Sequence, residues 1–122
     1  MAKNEMLKGT YRYRSEDDVL YVRPSQRAYA SSVQVGEFIF DIDKKGKPVG
    51  VEILNASKLL QIPKEALRHL VSLKLEILVL KNRIEFRLRV KALVRNGQAT
   101  GALFVEREAP DTISGSLQVA VA

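Results

Sequence analysis

From Lys81 to Arg95 the chain alternates without a break. The odd positions read Lys81, Arg83, Glu85, Arg87, Arg89, Lys91, Leu93 and Arg95, and the even ones Asn82, Ile84, Phe86, Leu88, Val90, Ala92 and Val94. A period of two places one set on each side of a pleated strand, whereas a helix would scatter both around its axis. "RNGQ" follows, and Asn-Gly between alternating segments predicts a hairpin with a type I′ turn. The returning strand "QATGALFVERE" then places Ala99, Leu103 and Val105 opposite Val94, Val90 and Leu88, with Arg87 opposite Glu106 and Arg89 opposite Phe104. "APDT" reads as a turn and "ISGSLQVAVA" as a weaker last strand.

The first half reads as shorter strands. "TYRYR" and "VLYVR" flank "SEDD", whose Ser15, Asp17 and Asp18 are turn formers. After the polar stretch "PSQRAYASS" come "VQVGEFIFDID" and "KPVGVEIL". Phe38, Phe40 and Ile42 alternate with Glu37, Asp41 and Asp43, so with the tip at Lys45-Gly46 Phe38 faces Ile53, Phe40 faces Val51 and Ile42 faces Val49. Gly46 suits the turn, and Pro48 suits an edge or a strand start because it lacks the amide donor.

Between the halves the period changes. Asn55 or Ser57 can cap a short helical turn, and Pro63 opens a helix expected from Lys64 to about Leu73, with Leu67, Leu70 and Val71 on one side. The expected fold is therefore α+β: an antiparallel sheet of five to seven strands built from hairpins, with one short helical region at about residues 57–73. One domain over 1–122 is expected, with a hairpin unit at 11–60 and a helix, long hairpin and last strand at 64–122.

Composition closes several chemistries. Without cysteine there is no disulfide, thiolate nucleophile or cysteine-bound zinc, and a single histidine rules out a histidine-clustered metal site. The seven glycines are scattered singly and form no phosphate-cradling loop. No apolar run approaches a membrane span and the N-terminus lacks a signal-like stretch, so a cytoplasmic protein without membrane contact is expected. His69 lies one helical turn after Glu65, a surface pair, and no hydroxyl has a nucleophile setting. Neither enzymatic activity nor a cofactor is expected.

Two charged faces stand out. From Asp41, carboxylates fall at positions 1, 3 and 12 and a glycine at 6, the spacing of a calcium loop. Position 5, however, is Lys45, and strands rather than helices flank the loop. Asp41, Asp43 and Glu52 are instead expected to share the acidic, wet face of a hairpin. The net charge of +6 is concentrated in residues 64–95, where nine basic side chains stand against three acidic ones. Arg83, Arg87, Arg89 and Lys91 on one strand face could follow phosphates, with Phe104 among them, although Glu85 and Glu106 interrupt the face.

"DVLYVR" (18–23), "DIDKKG" (41–46) and "VGVEILNAS" (49–57) together resemble the three blocks of a small bacterial and archaeal family, catalogued as domain of unknown function 2283. The resemblance covers about residues 11–60. It implies a β-hairpin unit followed by a helical turn, with no established catalysis, and its members' proximity to toxin-like genes implies an antitoxin-like partner role. "IPKEALRHL" (62–70) also resembles the core of the swapped-hairpin transcription regulators, but the Gly-Asp turn that follows it there is replaced here by "VSLKLEILVL". The function expected is a non-catalytic protein-interaction module, binding itself as a homodimer or a small partner protein. The alternative is nucleic-acid binding through the basic strand face.

Overall fold

The computed structural model describes residues 6–25 and 28–121. Residues 26 and 27 of the polar stretch lie outside the described residues. Nine strands are described: β1 (Met6–Arg14), β2 (Val19–Pro24), β3 (Ser31–Val35), β4 (Phe38–Ile42), β5 (Pro48–Ile53), β6 (Leu70–Leu80), β7 (Arg83–Val94), β8 (Gly97–Glu108) and β9 (Gly115–Val121). Two short helices, α1 (Ala56–Leu60) and α2 (Lys64–Leu67), lie between β5 and β6. All strands belong to one sheet, ordered β3-β4-β5-β2-β1-β9-β6-β7-β8.

This corrects the α+β expectation. The protein is mostly β, a single curled mixed sheet, and its two halves meet where β1 and β9 run parallel through Met6, Leu7 and Lys8. A parallel pair between the first and last strands carries no local signal, because it joins segments more than a hundred residues apart. The helix expected to reach Leu73 stops at Leu67. Beyond it, Leu73, Leu75 and Ile77 alternate inward while β6 is paired on both sides, by β7 and β9, so ladder hydrogen bonds and burial override the helical spacing. α1 is also short, bounded by Asn55 and Gln61 in left-handed conformations (φ 55° and 54°).

Two further strand readings change. Gly36, with φ 59°, splits "VQVGEFIFDID" into β3 and β4, and Val35 pairs with Phe38 across the turn. In the β4–β5 hairpin Phe38 faces Ile53 and Phe40 faces Val51 as expected, but a bulge after Asp41 places Ile42 opposite Pro48. In the β7–β8 hairpin Val94 pairs with Gly97, leaving Arg95 and Asn96 as a two-residue tip with the positive φ (141°) on Gly97. Every expected partner therefore moves by two residues: Arg87 faces Phe104, Arg89 faces Ala102 and Glu85 faces Glu106. A shift of two keeps each side chain on its face, so the core survives it while the outer pairs change.

The sheet curls around its inner face. Phe38 and Phe86, on strands from opposite halves, pack with ring centroids 4.6 Å apart, and Phe40 lies 6.4 Å from Phe86. Leu60 and Leu67 from the helices close the core with them, and each such fully buried side chain contributes about 1.5–3 kcal/mol relative to exposure. At Gly101 an added Cβ would come within 3.1 Å of the Leu60 carbonyl oxygen, so α1 seals the inner side of β8.

Candidate functional site

The three family-like blocks carry the hydrogen bonds that hold the first half together. Asp18 has a left-handed backbone (φ 56°) and is the one buried charged residue among those described. Its carboxylate accepts the Tyr13 hydroxyl (2.6 Å), the Ser57 hydroxyl (2.7 Å) and the Ser57 amide (2.9 Å). Burial pushes the Asp18 carboxyl up, but the Tyr13 and Ser57 donors, helped by Lys64, outweigh it and hold the group below the ordinary carboxylate value. The Tyr13 hydroxyl is pushed well above its ordinary value, by burial first and then by the Asp18 carboxylate it donates to. Asp18 thus ties the β1–β2 turn to α1, a role hidden when Asp18 is read as a turn former and Ser57 as a cap.

Asp41 and Glu52 share the outer face of the first half, on either side of Tyr21, whereas Asp43 lies beyond β4. Asp41 accepts the Tyr21 hydroxyl (2.8 Å) and the Ser32 hydroxyl (3.0 Å), bridging β2, β4 and β3. Burial and that carboxylate raise the Tyr21 hydroxyl above its ordinary value. Asp43 lies past the strand end, where one oxygen accepts the amides of Lys45 (2.9 Å) and Lys47 (3.0 Å). Those amides, Lys47 first, hold its carboxyl below the ordinary value. Glu52 lines a separate cleft of about 360 Å³ with Arg12, Arg14, Asp17 and Tyr21, in which Arg14 is already paired with Asp17. The calcium-like spacing is the hydrogen-bond chemistry of a hairpin, and among the described residues no group of three metal-ligating side chains comes together.

The basic quartet also divides. Arg83 is neutralised by Glu85 (3.1 Å) and lies 3.9 Å from Glu106. Arg87 holds its guanidinium 4.9 Å above the centre of the Phe104 ring, which is 53% exposed. Arg89 and Lys91 instead line a groove of about 690 Å³ on the outer face of β9, β6, β7 and β8. Lys74 of β6 lines the same groove and stands directly opposite Arg89 in the ladder. The row across four strands reads Ala120, Lys74, Arg89, Ala102, and the next row contains Ser72, Lys91 and Thr100.

That arrangement runs against ordinary sheet chemistry. Like charges directly opposite one another on a sheet destabilise it, and no carboxylate pairs with Lys74, Arg89 or Lys91 among the described residues. One row away, Glu76 is engaged by the Gln118 side-chain amide at 3.2 Å. The small outward side chains at Ala102 and Ala120 leave the space beside the cations open. The shifted β7–β8 register creates this site, since the expected one would have set Arg87 against Glu106 and filled the place beside Arg89 with Phe104. Lys74 lies just past the helix expected to end at about Leu73, in a stretch given no strand; the alternation Leu73, Leu75, Ile77 against Lys74, Glu76 is the signal that locates it.

His69 Nε2 lies 3.2 Å from Glu65 Oε1, an exposed pair as its spacing indicates. No described helix is long and apolar enough to cross a membrane.

Comparison with known proteins bears out the family resemblance over the first half: residues 10–57 match the model of a family described as protein of unknown function (DUF2283). A curated protein of Methanosarcina mazei, provisionally named hypoxanthine phosphoribosyltransferase, is 29% identical over 94 residues, covering 77% of this chain and 76% of the relative. No solved structure matches.

Proposed function

We propose that the chain acts by binding rather than by catalysis, as an interaction module that holds an anionic partner on the outer face of β9, β6, β7 and β8. The observation that carries this reading is the Lys74–Arg89 pair, two cations set face to face beside Lys91 with no carboxylate in ion-pair range of them among the described residues. A fold gains nothing from such a row, and a bound anion turns its cost into affinity. The family blocks favour the same reading, because Asp18, Tyr21, Asp41, Asp43 and Ser57 are spent on holding strands and turns.

Retention on an immobilised polyanion in a salt gradient tests the reading. Lys74→Glu and Arg89→Glu are expected to elute at clearly lower salt than Lys44→Glu, which makes the same charge change on the exposed β4–β5 turn. Equal shifts for all three would mean that only net charge is sensed, and the reading would fail.

The name of the Methanosarcina relative supplies a second reading, transfer of a phosphoribosyl group to hypoxanthine. Phosphate-bearing substrates need cations, so the same groove would serve. Nucleotide formed from hypoxanthine and phosphoribosyl diphosphate, with release of diphosphate, by the wild type and lost in Arg89→Glu would replace the binding reading with this one. Self-association along β8, a twelve-residue strand at the sheet edge, is a further partner arrangement and is checked by light scattering.

A further inference from the structure

We propose that the groove takes a single-stranded nucleic acid, with Lys74, Arg89 and Lys91 on its phosphates and a base against Phe104. The inference rests on the anionic-partner reading and names the partner. Its first support is spacing: Arg89 and Lys91 are two apart on one strand, about 7 Å, a separation suited to neighbouring phosphates of an extended chain. Lys74, across the ladder from Arg89, adds a third cation on the same side of the sheet.

The second support is the position of the groove on the face of the sheet rather than at its edge. A peptide lying there would meet backbone groups already paired in the β6–β7 and β7–β8 ladders, and its own amides and carbonyls would find few partners. A nucleic-acid strand needs no backbone pairing. It needs cations for phosphates and flat or apolar surface for sugars and bases, which Ala102 and Ala120 supply on either side of the Lys74–Arg89 pair.

The third support lies at the end of the groove. Phe104 is half exposed with Arg87 across its face, one row beyond Arg89, so ring and guanidinium together offer a surface on which a base can stack. Glu76 stands opposite Arg87 in this same row, and in the following row Glu85 and Glu106 stand opposite each other with Arg83 beside them. These carboxylates, offset in part by Arg83, make that end less favourable for phosphates than the Lys74, Arg89 and Lys91 rows, so the phosphates belong at the groove and the base at Phe104.

Fluorescence anisotropy with a labelled short oligouridylate, with labelled polyglutamate as a second probe, tests the proposal on the full chain. The wild type is expected to bind the oligouridylate with log K falling against log salt at a slope of about −2, as three single-strand phosphate contacts require. Arg89→Glu and Lys74→Glu should each weaken binding about tenfold or more and flatten that slope by about one, while Lys44→Glu changes little. Phe104→Ala should weaken it about fivefold or more without changing the slope. Circular dichroism of each variant, expected to match the wild type, checks that these exposed substitutions leave the fold intact.

Binding of polyglutamate but not of oligouridylate, with the same sensitivity to Arg89→Glu, would overturn the nucleic-acid assignment and leave the anionic-partner reading standing. Failure of both probes would overturn both. Oligouridylate binding untouched by Lys74→Glu and Arg89→Glu would overturn the site, and equal competition by a duplex would overturn the single-strand assignment.

Discussion

Lys74 and Arg89 face each other across the β6–β7 ladder, two exposed cations in directly opposed positions. Replacing one by a carboxylate converts a repulsive cross-strand pair into an attractive one. Lys74→Glu is therefore expected to raise stability by about 0.2–1 kcal/mol while weakening polyanion binding. Thermal unfolding beside the binding assay checks both signs. A variant that loses stability and binding together would show that Lys74 serves the fold.

The Asp18 network should dominate the acid limb of stability. Asp18→Ala removes three hydrogen bonds to a buried carboxylate and is expected to cost roughly 2–4 kcal/mol in denaturant unfolding. In the folded chain the Asp18 carboxyl is held below its ordinary value of 3.8, so its contribution is complete above that pH and is lost as pH falls through the lower, folded value. Asp17 and Asp43 are also held low, but they lie at the surface and water screens their partners. Urea midpoints measured between pH 2 and 7 should fall steeply at the acid end in the wild type and less so in Asp18→Asn.

At the alkaline end the sign reverses. The folded environment raises the Tyr13 hydroxyl above its ordinary value of 10.0, so the stability it contributes is complete below that pH and is lost as pH rises toward the folded value. Ultraviolet titration of phenolate should show a late-ionising component that shrinks in Tyr13→Phe. Tyr21, raised by burial and by Asp41, should supply a second late component removed by Tyr21→Phe.

Gly46 joins the first hairpin to the far end of the chain. Its φ is 83°, its carbonyl accepts the Ser114 amide at 2.9 Å, and an added Cβ would come within 2.4 Å of the Thr112 carbonyl oxygen. Gly46→Ala is expected to cost about 1–3 kcal/mol, because both the left-handed backbone and the docked loop oppose the methyl group. Hydrogen exchange should show the Ser114 amide losing protection in that variant, and an unchanged Ser114 would contradict the docking role.

Strands were legible in this sequence wherever apolar residues alternate with polar ones, and the inward sets of β4, β5 and β7 follow directly from that pattern. Pairing partners were less legible. The Asn-Gly dipeptide marked the β7–β8 turn, but either residue pair around the tip closes a hairpin without disturbing the core, so nothing in the inward pattern chooses between registers two apart. The β1–β9 pair and the packing of Phe38 on Phe86 join distant segments, for which a single sequence carries no signal. Arg89 and Lys91 were found from charge alone. Lys74, Ala102 and Ala120 were not, because the groove exists only once β6, β8 and β9 are set in register around β7.

The most direct measurement is a backbone amide NMR titration of the full chain with oligouridylate. Perturbations are expected at Lys74, Arg89, Lys91, Thr100, Ala102 and Phe104, while Arg12, Asp41 and Glu52 on the outer face of the first half stay in place. Perturbations centred on Arg12 and Glu52, or none at saturating oligonucleotide, would contradict it.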